Sequence, residues 1–121
     1  MPVKKILVVD DSPTDRAYLV DMLTQAGYQI VTAENGEEGI NKAKSEKPDL
    51  VMMDVVMPGM NGFQACRGIT SGPETKDIPV FLCTTKSQET DKVWGMRQGA
   101  KEYLIKPANK DDLLAKIKAL G

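Results

Sequence analysis

Histidine is missing from all 121 residues. Its absence removes Ser-His-Asp and Cys-His catalysis, imidazole-ligated metals and any phosphohistidine formed on this chain. Cysteine occurs twice, at Cys66 and Cys83, without metal-ligand spacing. Both are expected to be small buried apolar residues with no disulfide between them. Any metal must therefore be held by oxygens. Apolar runs are only a few residues long, far short of the ~20 that span a bilayer. The opening Met1-Pro2-Val3-Lys4-Lys5-Ile6 is not the long apolar stretch of a signal peptide. The expected location is the cytoplasm, with no membrane insertion. A surplus of one charge sign is lacking too: 16 basic and 17 acidic residues leave a net charge of −1. That balance offers no electrostatic footprint for nucleic acid. There is no low-complexity segment, linker or internal repeat.

What is present reads as one globular domain over residues 1–121, with no effector domain. The chain is 41% hydrophobic and 27% charged, which is globular composition. Lys4 to Asp10 is a β-branched run ending in acid, as in a strand buried on both faces. Ser12 then predicts a helix N-cap, with Pro13 at the first helical position and Asp15 completing a capping-box-like pair; Gly27 is the stop. The cycle repeats. Tyr28–Ala33 reads as a strand, and Asn35 with Glu38 opens a helix to about Glu46. Leu50–Asp54 is a third strand ending in acid. Phe63, Cys66 and Ile69 mark a third helix. Pro79–Thr84 is a fourth strand, and Ser87 is the expected cap of a helix reaching Gln98 and stopped by Gly99. Glu102–Ile105 is a fifth strand, and Asn109 opens a last helix with Leu113, Leu114, Ile117 and Leu120 in its apolar stripe. Five strand–helix units in series predict an α/β fold, a parallel sheet with helices on both faces and right-handed crossovers.

Ligands of such sheets bind beyond the carboxyl ends of the strands. Those ends carry Asp10-Asp11, Asp54, Thr84-Thr85 and Lys106-Pro107. Two unit charges ~4 Å apart repel by about 4 kcal/mol at an effective dielectric near 20, so three convergent carboxylates call for protonation or a divalent cation. An all-oxygen site with room for water suits Mg²⁺, usually completed by a phosphate. Lys106 adds a positive charge for an anion, and Thr84 a hydroxyl donor. The inferred task is to hold a phosphoryl group. Asp54, apart from the acidic pair and followed by an open loop, is the best-placed nucleophile. The backbone carbonyl of Val56 is expected to face the metal.

Val8-Val9-Asp10-Asp11-Ser12, Asp54-Val55-Val56-Met57-Pro58-Gly59-Met60-Asn61-Gly62, Thr84-Thr85 and Tyr103-Leu104-Ile105-Lys106-Pro107 together resemble the receiver domain of two-component response regulators. The likeness runs the length of the chain in family order. It implies a doubly wound, flavodoxin-like sheet with strand order 2-1-3-4-5. It implies Asp54 as phosphoacceptor, Asp10 and Asp11 as the acidic pair for Mg²⁺, and Val56 as the carbonyl ligand. Thr84 matches the mobile hydroxyl residue, Lys106 the lysine that contacts a phosphoryl oxygen, Pro107 a proline often cis, and Tyr103 the aromatic switch. The resemblance implies a CheY-like switch rather than an enzyme, one that promotes its own phosphorylation and dephosphorylation. A histidine kinase is the expected phosphodonor. A downstream protein is the expected reader of the face built by helix four, strand five and helix five. Asn61–Ala65 and Gln88–Gly95 look like single-domain regulators of type IV pilus, twitching-motility chemosensory systems.

Two residues bear on that reading, and three other functions rival it. Thr85 stands where the family usually has Ala or Gly, and its bulk is expected to slow phosphotransfer or hydrolysis. Val56 carries no polar side chain to orient water. A phosphatase of the haloacid dehalogenase-like group would place Asp-x-Asp at the end of strand one, where this chain has Asp10-Asp11-Ser12. A nucleotide-binding module would need a Gly-rich loop there. A receiver that only drains phosphate from a shared kinase is a third alternative. On a purely structural expectation, Trp94 packs in the core or along a helix flank, and Tyr103 is a strand tyrosine with its hydroxyl at the surface.

Overall fold

The computed structural model describes residues 2–121. Its strands are β1 (Lys5–Val9), β2 (Gln29–Ala33), β3 (Leu50–Met53), β4 (Val80–Thr84) and β5 (Glu102–Ile105). Its helices are α1 (Pro13–Gln25), α2 (Gly36–Glu46), α3 (Gly62–Ser71), α4 (Glu89–Arg97) and α5 (Lys110–Ala119). The strands form one parallel sheet in the order β2-β1-β3-β4-β5. That is the expected doubly wound arrangement.

Alternation along each strand divides the core into two layers. Leu7, Val9, Val51, Met53, Val80 and Leu82 face Ala43 of α2 and Ala65, Cys66 and Ile69 of α3. Ile6, Val8, Leu50, Met52, Phe81 and Cys83 face Leu19 and Leu23 of α1 and Leu113 and Ile117 of α5. Every residue of β3 and β4 is buried, which is why those segments read as unbroken apolar runs rather than alternating ones. α4 lies by β5, where Gly95 lets the helix approach the Tyr103 ring: a Cβ there would meet Tyr103 Cδ2 at 2.8 Å and Leu82 Cδ1 at 2.9 Å. Among the described residues, no helix is long and apolar enough to cross a membrane.

Helix starts follow the predicted caps with two corrections. Ser12 Oγ accepts from the Asp15 N–H, Asn35 Oδ1 from the Glu38 N–H, and Asn109 Oδ1 from the Asp112 N–H. Ser12 is not half of a reciprocal box, however. Its N–H donates to Asp10 Oδ1 at 2.9 Å, which leaves the Asp15 carboxylate free to point elsewhere. Ser87 is not a cap either: α4 begins after Gln88, with no side-chain cap bond. The complete box is at α3, where Asn61 and Gln64 each accept from the other's backbone N–H. Gly27 and Gly99 close α1 and α4 at φ +98°, a conformation that costs a side-chain-bearing residue more than glycine.

Candidate functional site

Parallel strands of one sheet present their carboxyl ends on one side, and that is where β1 and β3 deliver acids. Asp10 and Asp54 follow the last residues of β1 and β3, which are paired in register at Val9 and Met53. The backbone ties them further: the Asp54 N–H donates to the Val9 carbonyl at 3.0 Å. One carboxylate oxygen each from Asp10, Asp11 and Asp54 lies within 4.8 Å of the others. Asp10 and Asp54 are buried, and Asp11 is exposed. At that separation each charged pair repels by on the order of 3 kcal/mol at an effective dielectric of 20.

The counter-charge is Lys106, which enters from the loop after β5. Its Nζ lies 2.8 Å from Asp10 Oδ2, 2.8 Å from Asp15 Oδ2 and 3.4 Å from Asp54 Oδ2, with the lysine side chain only 11% exposed. Burial opposes the ammonium, but hydrogen bonds to Asp10 and Asp15 and the charges of Asp54 and Asp10 outweigh it and hold the amine above its ordinary range. The Lys106–Pro107 peptide bond is cis, as the resemblance implied.

The pKa of Asp54 is raised as well, but for a carboxylate that shift disfavours the charged form. Burial raises its pKa above the ordinary carboxylate value, and the charge of Asp10 adds to the rise. Lys106 and the backbone N–H groups of Val55 and Val56 work against it. The Val55 N–H donates to Asp54 Oδ1 at 2.8 Å. The result is a carboxylate that holds its proton more readily than usual, in an orientation fixed by the Val55 N–H. Directly beneath it, Gly62 leaves no room for a side chain: a Cβ there would overlap the Asp54 carbonyl oxygen.

The remaining predicted residues surround this centre. Thr84 is fully buried at the end of β4, and its Oγ1 accepts from the Lys86 N–H at 3.3 Å. Tyr103 points inward, with its hydroxyl donating to the Lys86 carbonyl at 2.8 Å. Its pKa is pushed up to about 12, first by burial and then by Asp91 and Asp54. Lys86 therefore takes one bond from the Tyr103 side and gives one to Thr84. The surface-hydroxyl reading of Tyr103 does not hold. Trp94 is 51% exposed instead of packed in the core, and lies with Val56, Phe63 and Lys86 along a shallow groove. Thr85 is exposed at the rim of a cavity of about 340 Å³ that also reaches Lys106, Asp15 and Cys83. Both cysteines are buried and unpaired, and burial raises Cys66 to about 12 and Cys83 to about 11, so neither is a reactive thiolate.

A constellation drawn from four strand ends in this order occurs in known proteins. The family described as response regulator receiver domain matches residues 6–118. The chain belongs to that family. Receiver domains similar to it include the protein PilH of Pseudomonas aeruginosa, 56% identical over 96% of both chains. The alkaline phosphatase synthesis transcriptional regulatory protein PhoP of Bacillus subtilis is 38% identical over 97% of this chain, which spans 48% of PhoP. Among solved structures, the chemotaxis protein CheY4 of Vibrio cholerae is 33% identical, with a TM-score of 0.90 over 98% of this chain and 99% of that one. The receiver fold thus accounts for the strand order and for the gathering of acids at the sheet's carboxyl edge. Sequence reasoning missed one member of the charge cluster, Asp15, because its position three residues after Ser12 suited a capping role equally well.

Proposed function

We propose that this receiver domain is a stand-alone response regulator that takes a phosphoryl group on Asp54. The observation that carries this reading is the placement of Asp54: a buried carboxylate 3.4 Å from the Lys106 ammonium, within 4.8 Å of two further acids. The near-complete mutual coverage with PilH supports a single-domain regulator acting in pilus-based, twitching motility. In the donor, the P–N bond of a phosphohistidine on a histidine kinase breaks as an Asp54 oxygen–phosphorus bond forms. Hydrolysis later returns the carboxylate and inorganic phosphate.

The hard carboxylate oxygens of Asp10, Asp11 and Asp54 fit Mg²⁺, and the Val56 carbonyl is proposed as a further ligand. Bound there, the ion would offset repulsion among the acids and neutralise charge on the phosphoryl oxygens. Lys106 donates to a phosphoryl oxygen, and the Thr84 hydroxyl exchanges its bond with the Lys86 N–H for one to the same group. Because Tyr103 holds the Lys86 carbonyl, movement of Thr84 is felt at β5 and α4, the face proposed for a downstream protein partner with α5. A bias from 1:99 to 99:1 in that switch requires about 5.5 kcal/mol of differential interaction. Charge-assisted hydrogen bonds of about 1.5–3 kcal/mol each are of the right size to provide it. Thr85 lines a cavity that reaches Lys106 but not Asp54, so its bulk would act on the lysine side of the site, and Thr85→Ala is expected to speed transfer or hydrolysis. With a kinase as donor, the working compartment is the cytoplasm.

The deciding measurement is intact-mass spectrometry after incubation with an acyl phosphate and Mg²⁺. One phosphoryl adduct on the native chain, absent from Asp54→Asn, is the expected result. The same adduct on both would move the acceptor to another residue.

A further inference from the structure

We propose that Asp15 is a positioning residue for Lys106: its carboxylate competes for the ammonium and governs how readily Lys106 reaches a phosphoryl group on Asp54. The inference rests on the phosphoacceptor reading and adds a residue to it. An ammonium has three N–H donors. In Lys106 two are taken at 2.8 Å, by Asp10 Oδ2 and Asp15 Oδ2, and the amine faces Asp54 at 3.4 Å. The third N–H faces Asp54, but an ammonium anchored by both close bonds can follow a phosphoryl oxygen outward from Asp54 only by loosening one of them.

The two close partners are not equal. The Asp10 side chain is 1% exposed, and its other oxygen already accepts from the Ser12 N–H. Withdrawing Lys106 would leave a buried carboxylate without its cation, which is costly. The Asp15 side chain is 45% exposed, so water replaces the ammonium there at small cost. The Asp15 bond is therefore the one that yields. Its geometry also has a local cause. The Ser12 N–H, which a reciprocal cap would give to residue 15, goes to Asp10, and the Asp15 carboxylate is left to reach Lys106 from the first turn of α1.

Asp15→Asn removes the charge while keeping the Asp15 N–H bond to Ser12 that starts the helix; Asp15→Glu restores the charge. Adduct formation is followed by intact mass at saturating Mg²⁺ with an acyl phosphate, because neutralising an acid also weakens cation binding. Asp15→Asn is expected to form the adduct roughly two- to fivefold faster than the native chain, the range of an exposed ion pair. Asp15→Glu is expected to stay near native. Without any phosphodonor, the ¹⁵N-edited resonance of the Lys106 ammonium is expected to shift and broaden in Asp15→Asn and to be retained in Asp15→Glu. An unchanged or slower rate in Asp15→Asn, an unmoved ammonium resonance, or a Glu variant as fast as the Asn variant would each overturn the inference. A native chain that gains no adduct at Asp54 would instead overturn the acceptor reading, and this competition with it. A modified native chain with no gain in Asp15→Asn overturns the competition alone.

Discussion

The two ends of the sheet both carry lysines and aspartates, and they use them in opposite ways. At the amino end, Asp49 precedes β3 and its Oδ2 accepts from the Lys4 and Lys5 N–H groups at 2.9 and 3.0 Å. Those backbone bonds, first that of Lys5 and then that of Lys4, hold its carboxyl below the ordinary value of 3.8. At the carboxyl end, Asp54 is buried among like charges and its pKa is raised. One acid closes the fold, joining the starts of β1 and β3. The other is held in electrostatic tension that Lys106 and the backbone N–H groups of Val55 and Val56 offset only in part. Local stability and reactivity are thus set by what surrounds a carboxylate, not by residue type.

The contrast is broken most severely by removing the single ammonium. Lys106→Met leaves Asp10 and Asp54 buried and facing each other without a cation. We expect a loss of about 3 kcal/mol in urea unfolding with chelator present, recovered in part by Mg²⁺. A loss that Mg²⁺ leaves untouched would mean that packing of the lysine stem, not charge, is responsible. Gly62→Ala comes next. Its Cβ would overlap the Asp54 carbonyl oxygen and crowd Val55 Cα at 2.6 Å, both backbone atoms that cannot rotate away. The expected loss is about 2 kcal/mol, accompanied by slower acceptor modification because Asp54 itself is displaced. Wild-type stability together with a wild-type rate would show that the loop after Asp54 gives way freely.

Asp54→Asn acts in the opposite direction. It removes a charge that burial and Asp10 both disfavour, at the cost of some attraction to Lys106. In metal-free buffer the variant is expected to be more stable than the native chain by roughly 1 kcal/mol, the scale of one close repulsion net of that attraction. Added Mg²⁺ should narrow the gap by stabilising the native chain more. A destabilised variant would show that Asp54 is held by attraction rather than strained by repulsion.

How much of this was legible beforehand follows from the distance over which each feature is encoded. The strands of β1 and β3, the caps at Ser12, Asn35 and Asn109, and the stops at Gly27 and Gly99 depend on neighbours within a few residues, and the sequence displays them directly. The strand-end rule then brought Asp10, Asp11, Asp54 and Lys106 to one side. The strand order came from the family resemblance, since spacing alone leaves the sheet's permutation open. What failed was decided by competition at longer range. The Ser12 N–H goes to the Asp10 side chain, and the Asp15 carboxylate thus released pairs with Lys106, 91 positions away. Ser87 gave way to Gln88 where Tyr103 and Thr84 hold the preceding Lys86 backbone. The tight fit of Gly62 and Gly95 leaves no pattern in a single sequence, because a glycine that avoids a clash looks like any other.

The mildest test addresses the amino end and carries its own sign. Asp49 has a folded pKa below its unfolded value, so it contributes stability that is fully present above about 3.9, the unfolded carboxylate range, and lost as pH falls through the folded value. Asp49→Asn keeps an oxygen able to accept from the Lys4 and Lys5 N–H groups but removes the charge. At pH 7 its urea midpoint is expected to fall below that of the native chain by less than in either destabilised variant above. The difference should shrink steadily as the buffer is taken below pH 4, because the native carboxyl is then being neutralised as well. The carboxyl end serves as the internal control: a gap that stays constant into acid would show that Asp49 acts through hydrogen-bond geometry alone, and the two ends would then differ in burial but not in their use of charge.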